Sequence, residues 1–487
     1  MESVWSDSIR IKGRPRLTSD LSVEAVVIGG GMAGILTALF LKEQGVETVV
    51  LEADTIGSGA TKNTTAKITA AHDLIYDRLI TEKGLRWAKQ YAAANTQAIK
   101  EYRRIISEKS IDCDFVECVA HLYTNEKADT LEREAQAALR SGIAAEFTTE
   151  TELPFAVTGA VRYGGQAMFN PLKFLDAVSK DLTVYEHTKV KKVDYDLIKT
   201  DNARIRAKHI VFACHFPFIN VPGYYFARMH QGRSYVLALE NAANFAGTYE
   251  GIDADGVSLR NYGELTLLCG GDHRTGENSK GGKYALLREK ALELWPESRE
   301  RFNWSAQDCM TPDSIPYIGR FARSRPNWYV CTGFGKWGMT SSMVAATIIS
   351  RKIVGEKYPS AAVFSPQRHI TIPAAKAMTK NGLKAAKGLG RTVFDLPEES
   401  FKDLAEGHGG IVEYHREKYG VYKDVDGHSF IVETRCPHMG CQLEWNPDEL
   451  SWDCPCHGSR FDIFGKLIDN PAQEDIKGQV KAPEGRS

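Results

Sequence analysis

Residues 23–34 read VEAVVIGGGMAG, and the chain continues as ILTALFLKEQG up to Gly45. The first six residues form an apolar, β-branched run, which predicts a strand. The stretch after the glycines has the apolar spacing of a buried helix, and Gly45 stands where such a helix would end. A second β-like run, ETVVLEAD, follows at residues 47–54. The sequence therefore predicts a βαβ unit with a glycine-rich turn between its first strand and its helix.

The glycine-rich turn fits the pattern G-x-G-x-x-G through Gly29, Gly31 and Gly34. The pattern alone is weak evidence, but here it follows a strand, opens a helix and precedes Glu52 at the end of the next strand. Glycines at these positions let the backbone approach a pyrophosphate at the helix N-terminus, and a carboxylate such as Glu52 binds ribose hydroxyls. We therefore expect a bound dinucleotide, either NAD or FAD.

The overall composition limits the kinds of partner. The 487 residues are too many for one hydrophobic core, so we expect two or three domains. With 61 basic and 62 acidic side chains the net charge is −1, which provides no global field for binding nucleic acid or an anionic membrane. The stretch MESVWSDSIRIKGRPR lacks the apolar run typical of a secretory leader, and no run of roughly 18 apolar residues follows. We therefore expect a cytoplasmic, soluble protein without a transmembrane segment.

Four of the ten cysteines lie close together near the C-terminus, whereas the other six are scattered. Scattered cysteines suit a reducing compartment, where a tight group indicates a metal site more often than disulfides. The group occupies two segments, Cys436-Pro-His438-Met-Gly-Cys441 and Cys454-Pro-Cys456-His457-Gly-Ser459. Two thiolates and two imidazoles can hold a [2Fe-2S] centre. A zinc site is the alternative, but zinc explains neither Pro455 nor the Gly458-Ser459 continuation.

The two segments closely resemble the Rieske iron–sulfur family, over about residues 400 to 480. The resemblance implies that the iron ligands are Cys436, His438, Cys454 and His457. In the high-potential branch of this family the remaining two positions form a disulfide that ties the loops together. The resemblance therefore implies a bridge between Cys441 and Cys456.

Two neighbouring residues bear on the reduction potential of such a centre. Ser459 matches the family serine whose hydroxyl donates to a cluster sulfur, and Phe461 stands where high-potential relatives carry tyrosine. Because hydrogen bonds to the sulfurs favour the reduced cluster, the missing phenol makes reduction harder. We expect a potential inside the Rieske range of about −150 to +300 mV but below its top.

Further segments accompany the glycine-rich turn. They are the polar loop Gly57–Thr69, the segment FNPLKFLDAV (169–178), the strand IVFAC (210–214), Thr311-Pro-Asp313 with Pro316-Tyr-Ile-Gly319, and Thr332-Gly333-Phe-Gly335-Lys-Trp-Gly338. Together these segments resemble the D-amino-acid oxidase (DAO) superfamily, which includes sarcosine and glycine oxidases, over about residues 20 to 360. The resemblance implies one FAD, held by Gly29, Gly31, Gly34, Glu52, Thr65, Gly333, Gly335 and Gly338.

The two resemblances predict an α+β chain with a Rossmann-like FAD-binding domain, a DAO-type β-sheet substrate domain and an all-β Rieske domain. We place the flavoprotein at residues 20–363, with its FAD-binding parts at about 20–95, 165–235 and 300–360, a basic linker at 364–393 and the Rieske domain at 394–487. If the linker forms a helix, the spacing of its basic residues places them on one side of that helix: Lys376, Lys380, Lys384, Lys387 and Arg391. Such a side is typical of a solvated linker, and docking to an acidic partner or a membrane surface is the alternative.

Two further features of the sequence concern how the flavin is bound. Residues 333–338 also spell G-x-G-x-x-G, but no strand ending in an acidic residue follows, which argues against a second nucleotide site. Some DAO relatives attach FAD through a cysteine, and Cys309 lies near that position but three residues away from it. We interpret Cys309 as a buried structural thiol, with covalent attachment of FAD as the alternative.

The substrate pocket has a weaker signal. Lys67 could stabilise negative charge on reduced flavin, with a solvent or phosphate contact as the alternative. The other candidate catalytic residues are His230, Arg233, Tyr235 and Lys336, and Tyr262 and His273 are further candidates. Taken singly, each of these residues is more typical of a structural role than of a catalytic one.

A flavin-binding part and an iron–sulfur part on one chain together predict an FAD-dependent amine or amino-acid dehydrogenase. Its electrons would pass from flavin to the cluster and on to a one-electron acceptor protein or a quinone. The first alternative is an NAD(P)H-driven flavin reductase with a tethered Rieske ferredoxin for a partner oxygenase. The second is a non-enzymatic redox sensor. A Rieske oxygenase would need a mononuclear iron held by two histidines and a carboxylate, and no such pattern is evident.

Overall fold

The computed structural model of this chain describes residues 2–394, 404–414 and 417–481. The chain forms two compact units. Unit 1 contains Met1–His215, Ser234–Gly271 and Leu287–Thr371. Unit 2 contains Phe216–Arg233, Asp272–Leu286 and Ile372–Ser487.

Within the part of the chain that the structure describes, every helix lies in the first 394 residues. In chain order they are α1 (Val4–Ser8), α2 (Met32–Glu43), α3 (Ala60–Asn63), α4 (Ile75–Lys83), α5 (Leu85–Glu108), α6 (Ala128–Ser141), α7 (Pro171–Ser179), α8 (Lys283–Leu294), α9 (Gly338–Ile353), α10 (Ala361–Phe364) and α11 (Ile372–Phe394), with a single 3-10 turn at Tyr225–Ala227. Within the described ranges, no helix is both long enough and apolar enough to cross a bilayer.

The strands before α9 are β1 (Leu21–Ile28), β2 (Thr48–Leu51), β3 (Lys67–Ile68), β4 (Val116–Thr124), β5 (Ala145–Thr148), β6 (Gly159–Met168), β7 (Thr183–Tyr185), β8 (Val190–Asp194), β9 (Leu197–Thr200), β10 (Arg204–Phe212), β11 (His230–Glu240), β12 (Thr248–Gly251), β13 (Ser258–Tyr262), β14 (Leu265–Arg274), β15 (Arg299–Met310), β16 (Tyr317–Ala322) and β17 (Arg325–Thr332). The later strands are β18 (Gly409–Tyr414), β19 (Glu417–Lys423), β20 (Ser429–Glu433), β21 (Glu444–Asn446), β22 (Ser451–Asp453), β23 (Arg460–Asp462), β24 (Leu467–Asp469) and β25 (Gly478–Lys481).

The first sheet places the predicted βαβ unit at its centre. Its order is β16-β17-β10-β1-β2-β7, and β1 is parallel to both β10 and β2. Helix α2 follows β1, and its residues Met32–Leu41 are all buried. A helix that is apolar on every side must lie inside the protein, which explains why α2 is covered by α9 as well as by the sheet. This arrangement fixes the glycine-rich turn at the carboxyl end of β1, where doubly wound sheets bind their ligands.

The second sheet is mainly antiparallel and has the order β15-β11-β14-β13-β12-β4-β6-β3, with β5 beside β6. Strand β6 pairs with β4, β5 and β3 and is buried at both of its ends, with Arg162 and Gly165 as its exposed residues. The two sheets with their helices agree with the predicted Rossmann-like domain and the predicted β-sheet substrate domain.

Unit 2 is built on two small antiparallel sheets, β18-β19-β20-β25 and β21-β22-β23-β24. Its core holds Trp445, Trp452 and Phe461 together with the four C-terminal cysteines. The predicted all-β module is therefore confirmed. The unit also contains residues 216–233 and 272–286, which the sequence analysis assigned to the flavoprotein domain.

The predicted basic linker forms the helix α11. Lys376, Lys380 and Lys384 are exposed, and Lys384 forms an ion pair with Glu277 at 2.7 Å inside unit 2. The side chains of Lys387 and Arg391 lie outside the described residues. Helix α11 thus belongs to unit 2 and is paired there through Lys384, which differs from the predicted solvated linker.

Candidate flavin site and metal centre

The glycine-rich turn leaves no room for side chains. A Cβ added at Gly34 would lie 1.9 Å from the carbonyl oxygen of Gly29, and one added at Gly29 would lie 2.4 Å from the carbonyl oxygen of Ala213. Gly29 also has a φ of +114°, which L residues rarely adopt. Gly29 thus permits the tight turn and Gly34 the close packing of α2 on β1, which are the roles of the first and third glycines in a dinucleotide-binding turn.

Glu52 lies directly after β2, beside this turn. Its Oε2 accepts a hydrogen bond from the Gly30 N–H at 2.6 Å, and its Oε1 accepts one from the Asp54 N–H at 2.8 Å. Burial raises the pKa of Glu52, although these backbone hydrogen bonds lower it. At the N-terminus of α2, the Met32 N–H donates to the Thr61 hydroxyl at 3.0 Å. The residues present thus fit a dinucleotide: helix amides for the phosphates and a positioned carboxylate for the ribose.

The second glycine-rich stretch joins β17 to α9. Gly333 and Gly335 have φ values of +69° and +56°, and α9 begins at Gly338 without a side-chain cap. The elements described after α9 are the helices α10 and α11, followed by the strands of unit 2, so this stretch does not begin a second βαβ unit. This arrangement supports one dinucleotide in unit 1.

The loop that contains Thr65 is held by its carbonyl oxygens. The Trp304 and Trp5 indole N–H groups donate to Asn63 at 3.0 Å and Thr64 at 2.7 Å. Arg260 Nη1 donates to the carbonyl oxygens of Thr65 and Ala66 at 2.8 and 2.9 Å. Sequence reasoning missed Arg260, because an arginine on a strand carries no motif.

The structure brings two predicted catalytic residues near one carboxylate. Lys67 Nζ lies 2.7 Å from Glu250 Oε2 and also contacts the Ser258 hydroxyl. Burial raises the pKa of Glu250, but the charges of Lys67 and Lys336 lower it, and the net shift is downward. Lys67 is therefore a buried, paired cation, which differs from the solvent contact considered from the sequence.

Three other candidates in unit 1 occupy structural positions. Tyr235 is fully buried in β11. The Tyr262 hydroxyl donates to Asp114 at 2.9 Å and accepts from Asn170 at 2.8 Å. Cys309 is buried, and its thiol donates to the carbonyl oxygen of His215 at 3.5 Å. These contacts support the interpretation of Cys309 as a structural thiol.

The remaining candidates lie in unit 2 with the iron–sulfur segments. His230 Nδ1 is 3.2 Å from Asn381 Nδ2, and burial lowers the pKa of His230 to about 4. Arg233 forms a buried ion pair with Glu449 at 2.8 Å. Nδ1 of His273 contacts the carbonyl oxygen of Arg274 at 2.7 Å, and burial lowers the pKa of His273. The ion pair gives Arg233 a structural role, so we do not assign it to the substrate.

The predicted iron ligands meet on two facing loops. The thiols of Cys436 and Cys454 are free and buried, and the rings of His438 and His457 lie 4.9 Å apart at 88°. The loops have the same backbone pattern: the Gly440 N–H donates to Cys436 at 2.8 Å, and the Gly458 N–H donates to Cys454 at 2.9 Å. Two thiols and two imidazoles therefore converge on one place.

The imidazoles are prepared to bind metal. Nδ1 of His438 and Nδ1 of His457 are buried and have no hydrogen-bond partner among the described residues. Burial lowers the pKa of His438 to about 4 and that of His457 to about 3, so both rings are neutral at pH 7. A buried lone pair without a partner is costly, and a metal ion satisfies it. The donor set fits a [2Fe-2S] centre with two thiolates and two imidazoles.

The thiols of Cys436 and Cys454 share a hydrogen bond that acts on them in opposite directions, because it lowers the pKa of Cys436 and, together with burial, raises the pKa of Cys454. The hydrogen bond from Cys454 lowers the pKa of Cys436 to about 7, with further hydrogen bonds from the N–H of His438 and the Ser459 hydroxyl, although burial raises it. Ser459 is fully buried, and its Oγ accepts from the Ala472 N–H at 2.9 Å. Phe461 is fully buried in β23. The effects of Ser459 and Phe461 on the potential stay predictions.

Cys441 and Cys456 form the disulfide that the resemblance implied. The bridge joins the two ligand loops, and both cysteines are buried in the core of unit 2. A covalent tie of this kind restrains the loops to the spacing that a shared cluster needs.

Comparison with known proteins agrees with both sites. The DAO model, described as FAD dependent oxidoreductase, matches residues 24–352, and the Rieske [2Fe-2S] domain model matches residues 396–480. The chain belongs to the DAO family of FAD-dependent oxidoreductases. It carries a Rieske domain at its C-terminus, so both resemblances are confirmed.

One curated relative shares the whole arrangement. YhfW of Bacillus subtilis (strain 168), which is named as a Rieske 2Fe-2S iron-sulfur protein, is 36% identical over 493 residues, covering 98% of this chain and 97% of the relative. Solved structures with a similar fold include glycine oxidase from Geobacillus kaustophilus, with a TM-score of 0.60 and 18% identity, covering 72% of this chain and 99% of that chain. L-proline dehydrogenase from P. horikoshii has a TM-score of 0.59 and 16% identity, covering 71% of this chain and 97% of that chain. This DAO-family chain is thus an oxidoreductase that binds FAD and a [2Fe-2S] cluster.

Replacing Gly34 in this DAO-family site should abolish FAD binding. A valine at Gly34 places its Cβ inside contact distance of the Gly29 carbonyl, so the turn must open and the phosphate amides move. We expect the purified Gly34→Val protein to contain less than about one tenth of the wild-type FAD, measured by absorbance after denaturation. Gly164→Ala is the control, because its Cβ would make an ordinary 3.8 Å contact. Retention of FAD by Gly34→Val would contradict this assignment.

Proposed function

We propose that this protein is an FAD-dependent amino-acid dehydrogenase that passes substrate electrons through its Rieske centre to a one-electron acceptor. One observation carries the proposal: a single chain holds both the Gly29–Glu52 nucleotide site and the complete donor set Cys436, His438, Cys454 and His457. The named activities of the fold relatives, glycine oxidase and L-proline dehydrogenase, support an amino-acid substrate.

Electron counting supports the pairing of the two cofactors. Oxidation of a carbon–nitrogen single bond to an imine releases two electrons and two protons, and water then hydrolyses the imine. FAD supplies two-electron chemistry, and a [2Fe-2S] centre supplies one-electron chemistry. Two equivalents of a one-electron acceptor protein, or one quinone reduced to quinol in two one-electron steps, therefore balance each substrate molecule.

The surroundings of Arg260 support a substrate that carries a carboxylate. Its side chain is 2% exposed, yet no carboxylate among the described residues forms an ion pair with it. Nε donates to Asn261 and Nη1 donates to Thr65 and Ala66, whereas Nη2 has no protein acceptor in the described ranges. Burial lowers the pKa of Arg260 to about 10, and the Trp5 ring lies 5.5 Å from its guanidinium. An anionic substrate would compensate this buried charge.

Exchanging Arg260 should change substrate preference. We expect Arg260→Lys to lower kcat/KM for the best amino acid by about 10- to 100-fold, the value of one or two charge-assisted hydrogen bonds. The amine made by decarboxylating that amino acid has no carboxylate, so its kcat/KM should fall less than threefold. The matched control is Arg162→Lys, whose native side chain forms an exposed ion pair with Glu146. Equal losses for amino acid and amine would remove Arg260 from substrate binding.

An anaerobic screen tests the proposed activity against its rivals. Glycine, L-proline, the other L-amino acids, the corresponding amines, NADH and NADPH are each added to the purified protein while flavin absorbance is followed. The proposal predicts bleaching by at least one amino acid and none by either nicotinamide. Bleaching by NADH or NADPH alone would favour the flavin reductase with a tethered Rieske ferredoxin. Bleaching by none of them would favour the redox sensor.

A further inference from the structure

Residues 216–233 belong to unit 2 and cover the cluster histidines. Oδ1 of Asn220 lies 2.9 Å from Nε2 of His438. The ring of Phe226 stands edge-on to His438 with centroids 6.4 Å apart, and edge-on to His457 with centroids 5.8 Å apart. A segment more than 200 positions before the ligand loops therefore contacts both imidazoles.

The chemistry of the site fixes the direction of this hydrogen bond. Nδ1 of His438 must keep its lone pair for iron, so the proton of the neutral ring is on Nε2. Nε2–H can only donate. Therefore the side-chain oxygen Oδ1 of Asn220, and not the side-chain amide nitrogen, faces the ring. The orphaned Nδ1 of His438 agrees with this tautomer.

The position of Asn220 is itself restrained. The backbone carbonyl oxygen of Asn220 accepts a hydrogen bond from the Tyr224 N–H at 2.9 Å, which closes a turn. At the start of the segment, Phe216 is fully buried, and its carbonyl oxygen accepts from Asn470 Nδ2 at 2.8 Å. The acceptor is therefore presented to His438 by a fixed backbone instead of a free surface chain.

The other ligand histidine lacks such a contact. No described residue forms a hydrogen bond with Nε2 of His457, although the carbonyl oxygen of His457 accepts from Gln231 Nε2 at 2.8 Å. Gly458 follows, and a Cβ there would lie 2.7 Å from the Cβ of Gln231. The same segment thus holds the His457 loop by its backbone and the His438 ring by its outer nitrogen, which makes the two imidazoles inequivalent.

We propose that Asn220 is a positioning residue for the iron–sulfur centre, which fixes the tautomer of His438 and lowers the reduction potential of the cluster. An acceptor on the outer nitrogen makes the imidazole a more basic ligand, and a more basic ligand stabilises the oxidised iron. Because Asn220 occupies Nε2 of His438, this nitrogen is also withheld from an outside electron donor. The inference depends on cluster binding and not on the identity of the substrate.

Two isosteric substitutions in the full-length protein test the proposal. Asn220→Leu keeps the shape but removes the acceptor, whereas Asn220→Asp keeps the acceptor and adds negative charge. At the wild-type midpoint potential, we expect the ratio of reduced to oxidised cluster to rise about tenfold in Asn220→Leu, which is about 59 mV for one electron. We expect the ratio to fall in Asn220→Asp. Redox titration monitored by electron paramagnetic resonance (EPR) measures both ratios.

A neighbouring variant separates loss of the acceptor from loss of cover. Phe226→Leu weakens the ring contacts with His438 and His457 but keeps the hydrogen bond from His438 to Asn220. Its ratio of reduced to oxidised cluster should therefore change less than threefold. Pulsed EPR should show altered coupling to the His438 nitrogens only in the Asn220 variants. An unchanged ratio in Asn220→Leu, or shifts of the same sign in Leu and Asp, would overturn the proposal. If Asn220→Leu assembles no cluster, Asn220→Asp alone decides: a lower ratio supports the proposal and any other ratio overturns it.

Discussion

His438→Ala and His457→Ala should each lose the cluster and keep the flavin. Each variant removes one of two imidazole ligands, and the remaining three donors cannot complete the Rieske set. The iron content should fall from about two per chain to the background level, and the Rieske EPR signal should vanish. FAD should stay at about one per chain, because the Gly29–Glu52 site lies in unit 1, which has its own core.

His408→Ala is the matched control for these variants. His408 is an exposed histidine of unit 2, and its imidazole forms a hydrogen bond only with the carbonyl oxygen of Glu406 among the described residues. Its variant should keep both cofactors. Retention of the Rieske signal in His438→Ala or His457→Ala would refute the ligand assignment, and loss of FAD in both would refute the independence of the two cores.

Arg233→Ala should destabilise unit 2 by about 3 kcal/mol or more. Arg233 and Arg460 share Glu449 at 2.8 and 3.2 Å, and Arg460 also binds Asp453 and Asp469. The Arg233 side chain is 1% exposed, so removing it leaves three carboxylates with one buried cation. Breaking a buried ion pair typically costs about 3 to 5 kcal/mol because the remaining charge stays desolvated.

Hydrogen exchange of the peptide 451–462 measures this effect without requiring reversible unfolding. A loss of about 3 kcal/mol corresponds to exchange roughly 100-fold faster where exchange follows opening of the unit. Lys477→Ala breaks an ion pair in the same unit whose two side chains are 89% and 47% exposed, so it should cost less than about 1 kcal/mol. Equal exchange rates in the Arg233 and Lys477 variants would show that the buried pair does not stabilise unit 2.

The sites that could be predicted from the sequence depend on local order. Gly29, Gly34 and Glu52 lie within one βαβ unit, so strand, turn and helix patterns locate them together. The iron ligands occupy two short segments, and each segment carries its own cysteine and histidine. Because each pattern is contained in a few neighbouring residues, both were recognisable in the sequence, and the family resemblances that they carry implied the fold class and the cofactors.

The contacts that the sequence did not reveal join residues far apart in the chain. Asn220 and Arg233 meet the Rieske segments across more than 200 positions, and neither residue type at one isolated position indicates a partner. One signal was available: residues 213–229 form a long connection between β10 and β11, and a 3-10 turn is the one regular element in it. Connections of that length in compact domains are uncommon and often functional. Arg260 escaped notice for a similar reason, since its loop partners are backbone carbonyls.

The central claim is that substrate electrons leave the flavin through the Rieske centre. Freeze-quench EPR after anaerobic mixing with the amino acid that bleaches the flavin tests it most directly. The account predicts that the reduced-cluster signal appears after flavin bleaching and at least as fast as steady-state turnover with a one-electron acceptor. A cluster that stays oxidised throughout turnover, while the flavin is reduced and reoxidised, would contradict it.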